Sequence, residues 1–126
     1  MRDLAPKVFV VDDDRSVRRA LGRLLRSAGY DIELFDAAEA YLAREAPHRP
    51  ACLVLDVRMP GMTGLELQRA VLGTPMELPI VFITGHADEE FWQTLEGVAV
   101  RVLYKPLDDT ELLAAIEQAL ARSLEH

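Results

Sequence analysis

Short apolar runs rich in valine, isoleucine and leucine recur at residues 7–11, 32–35, 52–55, 79–83 and 99–103, and each predicts a strand. The first, third and fourth are apolar at nearly every position, the pattern of parallel strands covered by helices on both faces. Between the runs the period changes. Val17, Leu21, Leu24, Leu25 and Ala28 recur at intervals of three and four, and the glycine of "SAGYD" supplies a stop, so a first helix is predicted there. Further helices are predicted over 37–45, 64–72, 88–96 and 109–122. In the last, Leu112, Leu113, Ile116 and Leu120 form one apolar stripe, and Asp108 with Glu111 makes an Asx-type variant of the capping box.

Strand and helix alternate five times, which implies an α/β architecture: a parallel sheet with right-handed crossovers and helices on both faces. In such doubly wound sheets the functional crevice lies at the carboxyl ends of the strands, where strand order reverses. For a flavodoxin-like (βα)5 fold of order 2-1-3-4-5, that point is between the first and third strands. The polar residues follow this geometry. The first strand ends in Asp12 and Asp13, the third in Asp56, the fourth in Thr84, and the fifth in Lys105 followed by Pro106. All five side chains are expected on one rim.

Composition narrows the class. The chain has 126 residues, half of them apolar, enough for one compact domain with a core and too few for a second. Its net charge of −7, from 14 basic and 21 acidic residues, disfavours nucleic-acid contact and an anionic membrane surface. No apolar run approaches the roughly 20 residues that span a bilayer, and the opening "MRDLAPK" has no apolar signal region, so a cytoplasmic location is expected. The one cysteine, Cys52, lies in the apolar stretch "CLVLD" and reads as core. The terminal "LEH" resembles a vector-derived tag remnant; the domain is taken as residues 1–122, with 123–126 as remnant, and the natural protein is expected to continue beyond it.

The triplet Asp12-Asp13-Asp14 stands directly after an apolar run, with no basic residue until Arg15. Carboxylates crowded at a partly desolvated rim repel one another, so either their pKa values rise or a divalent cation neutralises them. Magnesium suits such a site: it takes oxygen ligands, keeps several waters and binds through a few carboxylates together with a phosphate group. A carboxylate beside magnesium, with a lysine and a hydroxyl close by, is equipped to attack phosphorus. Asp56 is the candidate nucleophile, Lys105 the counter-charge and Thr84 a hydrogen-bond donor to the phosphoryl group.

The stretches "VFVVDDDRSVR", "LVLDVRMPGMTGLEL", "PIVFITGHAD" and "YKPLDDTELL", in this order and spacing, resemble the response-regulator receiver family over nearly the whole chain. The "ITGH" of the fourth strand is most similar to receivers of nitrogen-fixation type regulators. The resemblance implies that Asp12 and Asp13 form the acidic metal pair. Asp56 would accept a phosphoryl group from a sensor histidine kinase within a phosphorelay, and Arg58 would give its backbone carbonyl to the magnesium. Thr84 would be the switch hydroxyl that moves toward the phosphoryl group, Lys105 the counter-ion of that group, and Lys105–Pro106 a cis bond. It further implies a C-terminal DNA-binding output domain, a homodimer on activation, and a protein that assists its own phosphotransfer and dephosphorylation without being a conventional enzyme. Asp14 has no metal role in the family and is expected to start the first helix.

Two departures stand out. Receivers commonly carry Tyr or Phe three residues before the lysine, where this chain has Val102; Tyr104 shares its face but stands too far along the strand to fill the same pocket. The spacing from Thr84 to Lys105, with Gly97 and Val98 where the family has "GA", is about one residue short. Singly, several of these features have plain explanations: an acid pair in a solvated loop, a lysine at the surface, a threonine capping a turn, His86 as a surface histidine, Phe91 and Trp92 as packing. For the acid pair, Lys105 and Thr84, convergence of Asp56 and Lys105 at one rim outweighs these, while Phe91 and Trp92 are taken as packing and His86 stays open between a surface residue and one that affects the phosphoryl group's survival. Two alternatives to a phosphorylation switch are a degenerate receiver acting as a phosphorylation-independent interaction module, and an aspartyl phosphatase reading Asp12 to Ser16 as D-x-D-x-[T/V], for which Ser16 and the lack of a cap domain fit poorly.

Overall fold

The computed structural model describes residues 5–85 and 101–124. Five strands, β1 (Lys7–Val11), β2 (Asp31–Phe35), β3 (Ala51–Asp56), β4 (Ile80–Thr84) and β5 (Arg101–Tyr104), pair in parallel in the order β2-β1-β3-β4-β5. The described helices are α1 (Arg15–Ser27), α2 (Ala38–Leu42), α3 (Gly64–Val71) and α4 (Asp109–Ser123). This is the flavodoxin-like topology that the alternation predicts. The predicted helix over 88–96, with His86, Phe91, Trp92, Gly97 and Val98, lies outside the described residues.

Strand alternation divides the core in two. Phe9, Val11, Leu53, Leu55, Ile80 and Phe82 point to one face and pack against Tyr41 of α2 and Leu67 and Val71 of α3. Val8, Val10, Cys52, Val54, Val81 and Ile83 point to the other, against Leu21 and Leu25 of α1 and Leu112 and Ile116 of α4. Every residue of β3 and β4 is buried, which is why these runs lack polar alternation. Each fully buried Val, Leu, Ile or Phe among them contributes about 1.5–3 kcal/mol by leaving water. Burial pushes the Cys52 thiol up to about 12, so it stays a neutral core residue as its apolar surroundings predict.

The helices begin where side chains can take up their first amide groups. Asp14 caps α1 by accepting from the N–H groups of Ser16 and Val17. Thr63 and Glu66 form a reciprocal capping box at α3, and Asp108 accepts from the Glu111 N–H at α4. α1 ends at Ala28 and Gly29, the latter at φ +92°, a left-handed value that glycine adopts without a side-chain clash. α2 is shorter than the predicted 37–45. Pro47 disfavours helical geometry in the residue before it, and Arg44 is engaged elsewhere, its guanidinium 4.7 Å from the Phe9 ring centroid and 2.8 Å from Glu33 Oε2.

α4 runs one residue past the predicted end, and Ser123, which the sequence places beyond the domain boundary, is fully buried. Its hydroxyl oxygen accepts from the Ala51 N–H at 3.1 Å and lies 3.4 Å from Arg49 Nη1, while Arg49 Nη2 donates to the Glu77 carbonyl at 2.9 Å. The last helix is thereby tied to the start of the central strand. Ser123→Ala removes the acceptor and leaves a buried backbone N–H unpaired, so it is expected to cost about 1 kcal/mol. A lower urea midpoint with unchanged slope would register this, and an unchanged midpoint would contradict it.

Candidate functional site

The inner strands end at one edge of the sheet, and the first polar residue on each meets its neighbours there. The β1 ladder continues one residue into Asp12, whose N–H donates to the Phe35 carbonyl at 3.1 Å. β3 ends in Asp56, paired with Ile83, and β4 ends in Thr84, paired with Tyr104. Lys105 follows β5 directly, and its N–H donates to the Thr84 carbonyl at 2.8 Å.

Carboxylate oxygens of Asp12, Asp13 and Asp56 all lie within 4.8 Å of one another. Asp12 is fully buried and Asp56 nearly so, while Asp13 is exposed. The Lys105 Nζ reaches between them, 3.1 Å from Asp12 Oδ2 and 3.4 Å from Asp56 Oδ2. Asp56 Oδ1 accepts from the Arg58 N–H at 3.3 Å, so Arg58 reaches the site through its backbone. Thr84 is buried at the end of β4. Asp14 turns away into its capping role, leaving two of the three opening acids at the rim.

One ammonium among three carboxylates leaves the rim with excess negative charge. Burial, followed by repulsion from Asp12, pushes the Asp56 carboxyl up to about 6, against the opposing pull of Lys105 and the Arg58 N–H. Burial by itself lowers the Lys105 ammonium, but its contacts with Asp12 and Asp56 outweigh this and raise it. Asp12 Oδ1 is satisfied by the Asp14 N–H at 2.9 Å. Asp12 Oδ2 is fully buried and, among the described residues, accepts no well-directed hydrogen bond, with the Lys105 ammonium 3.1 Å away as its ion-pair partner. A buried carboxylate oxygen held by an ion pair without a well-directed hydrogen bond, beside two more carboxylates in an all-oxygen donor set, fits a hard divalent cation such as magnesium.

A comparison with known protein families decides the identity: the response regulator receiver domain matches residues 8–117. The chain belongs to the response-regulator receiver family. Nodulation protein W of Bradyrhizobium diazoefficiens is 44% identical over 116 residues, covering 91% of this chain and 51% of that protein. The transcriptional regulatory protein FixJ of the same species is 38% identical over 117 residues, covering 92% and 57%. Among solved structures, response regulator StyR superposes with a TM-score of 0.87 at 47% identity, covering 97% of this chain and 62% of that one. The similarity to nitrogen-fixation and nodulation regulators agrees with the "ITGH" motif. The chain spans about half the length of the curated relatives it matches.

As a receiver domain of two-component signalling, the chain carries the family's acidic pocket and departs from it on β5. The Lys105–Pro106 peptide is cis. Val102 lies opposite Phe82 and is partly buried against the α2–α3 side of the core. Tyr104 lies opposite Thr84, 42% exposed, one residue pair further along the strand, so its ring does not occupy the Val102 position.

Two residues that shape this receiver site escape a reading of the sequence by spacing. Gly64 opens α3, and a Cβ on it would stand 2.4 Å from the Asp56 carbonyl oxygen. A glycine at the first position of a helix, where a side chain is ordinarily harmless, is the one cue to that closeness. Arg18 donates from Nη1 to the Asp12 carbonyl at 2.8 Å. Its cue is a cation near the start of a helix, where the dipole disfavours positive charge.

Proposed function

We propose that this domain is a phosphorylation-controlled switch that accepts a phosphoryl group on Asp56 from a sensor histidine kinase, in a magnesium-dependent reaction. The observation that carries the reading is the Asp12–Asp56–Lys105 cluster, in which a nearly buried carboxylate has an ammonium at 3.4 Å and a second, fully buried carboxylate that shares the same ammonium at 3.1 Å. An Asp56 oxygen attacks phosphorus. The new O–P bond forms as the N–P bond of a phosphohistidine donor breaks, and the leaving imidazole nitrogen keeps the electron pair and takes up a proton. Lys105 pairs with a phosphoryl oxygen, and Thr84 offers its hydroxyl to another. The carboxylates of Asp12, Asp13 and Asp56 with the Arg58 carbonyl would hold magnesium, which when bound supplies charge neutralisation to the transferring oxygens. The product, an acyl phosphate, biases an equilibrium between two conformations of an output face.

This reading implies a cytoplasmic domain that meets a histidine kinase, with a DNA-binding output domain and activation-linked homodimerisation in the whole protein. In support, FixJ is named a transcriptional regulatory protein. Among the described residues no helix is long and apolar enough to cross a membrane. The test is intact-mass measurement after treatment with magnesium and a small phosphodonor such as acetyl phosphate. One phosphoryl mass is expected on the wild type, and none on Asp56→Asn or with a chelator present. An unmodified wild type, under conditions that label a control receiver, would defeat the proposal.

One observation favours a second reading, an interaction module that does not respond to phosphorylation: Val102 stands where receivers commonly place the moving ring. Amide spectra of the free and beryllofluoride-bound domain separate the two. Shifts confined to the acidic rim favour the module, and shifts spreading across β5 and α4 favour the switch.

A further inference from the structure

We propose that Arg18 is a positioning residue for the metal site, holding the peptide plane that joins its two consecutive acids; the inference rests on the magnesium-dependent reading above. Between the end of β1 and the N-cap of α1 the chain has only Asp12 and Asp13 to change direction. Asp12 is held on every side but one. Its N–H donates to Phe35, its Oδ1 accepts from Asp14, and its carbonyl accepts from Arg18 Nη1 at 2.8 Å, leaving Oδ2 with the Lys105 ammonium at 3.1 Å and, among the described residues, no well-directed hydrogen bond.

The carbonyl contact reaches beyond Asp12. That C=O belongs to the Asp12–Asp13 peptide, which is planar, so fixing its oxygen also fixes the direction in which the Asp13 Cα departs. The Asp13 carboxylate is exposed but lies within 4.8 Å of the other two, an arrangement that depends on its backbone being held. Arg18 is the charged side chain that does this from the helix, and the bond is short, as a guanidinium-to-carbonyl bond should be. Its position in the first turn of α1 sharpens the point. The dipole at a helix start disfavours a cation, and the carbonyl contact offsets that penalty.

Electrostatics and positioning predict opposite signs. A positive charge near a cation site weakens cation binding, so if Arg18 acted through charge alone, removing it would tighten magnesium. If it acts by orienting the acid pair, removing it loosens magnesium, as loss of a ligand's supporting partner does in other metal sites. The test is calorimetric titration of the domain with Mg2+ alone, with the thermal midpoint of each variant measured alongside. Arg18→Met and Arg18→Gln are expected to weaken Mg2+ about tenfold, and Arg18→Lys, which keeps a long donor, to stay within about threefold of wild type. Unchanged or tighter binding by both neutral variants overturns the inference while leaving the phosphorylation reading intact. Failure of the wild type itself to bind Mg2+ overturns both. Arg18→Gln retains polarity and guards against a folding defect in Arg18→Met.

Discussion

Replacing Gly64 by alanine is expected to destabilise the domain by about 3 kcal/mol and to disturb the acidic rim at the same time. The added Cβ would lie 2.4 Å from the Asp56 carbonyl oxygen, 3.1 Å from the Val57 Cα and 3.2 Å from the Asp56 carbonyl carbon. All three are backbone atoms of the central strand and its continuation, and none can swing aside as a flexible side chain would. The Gly64 N–H also donates to the Val57 carbonyl at 3.0 Å, so the helix cannot retreat without loosening that bond. Alanine has the higher helix propensity by about 1 kcal/mol. That gain is smaller than the cost of parting α3 from β3, so the net sign is destabilising. Urea unfolding should show a lower midpoint, and Mg2+ titration a weaker site, because the strand that carries Asp56 is the part displaced. A midpoint equal to or above wild type would mean that the two elements separate at little cost.

The contrast between Gly64 and the rim acids marks what a sequence exposes. Asp12, Asp13, Asp56 and Thr84 are legible because three runs are apolar throughout, which identifies inner parallel strands, and topology then brings the residues after them to one edge; Lys105, after the fifth run, joins them by the same topology. No contact had to be known. Gly64 and Arg18 depend on how closely one element approaches another, and that distance is set by packing rather than by periodicity. The same limit explains the errors in length. The pattern predicts α2 over 37–45, but it stops at Leu42, after which Arg44 covers Phe9 and pairs with Glu33. α4 is predicted to end at 122 and runs to Ser123, because nothing local shows that the Ser123 hydroxyl meets the Ala51 N–H, 72 positions away in the chain.

Asp56→Asn is expected to stabilise the domain without magnesium at neutral pH, by on the order of 2 kcal/mol, while abolishing phosphoryl acceptance. The cause is the burial of Asp56 beside Asp12, which pushes its carboxyl up to about 6 in the folded state, against about 3.9 in an unfolded chain. Between those two values the folded state holds the proton and the unfolded state has released it. Raising the pH through this window therefore removes stability, and the loss is complete above the folded value. Asparagine has no such titration. The advantage of the variant should be full at pH 7, shrink as pH falls through 6, and vanish near 4, a dependence that cancels every group titrating alike in both proteins. On the proposed magnesium-dependent reading Mg2+ should reverse the order, because a cation held by the wild-type carboxylate would stabilise the state that binds it. Thermal midpoints of both proteins from pH 4 to 8, with and without Mg2+, test the whole chain of argument. A variant no more stable than wild type at pH 7, or an advantage that persists unchanged to pH 4, would show that the rim does not strain its own acceptor. If the strain is there, the energy that makes this carboxylate costly to bury is the energy a bound cation would recover, and the acidic pocket of this receiver lowers the stability of its own resting fold.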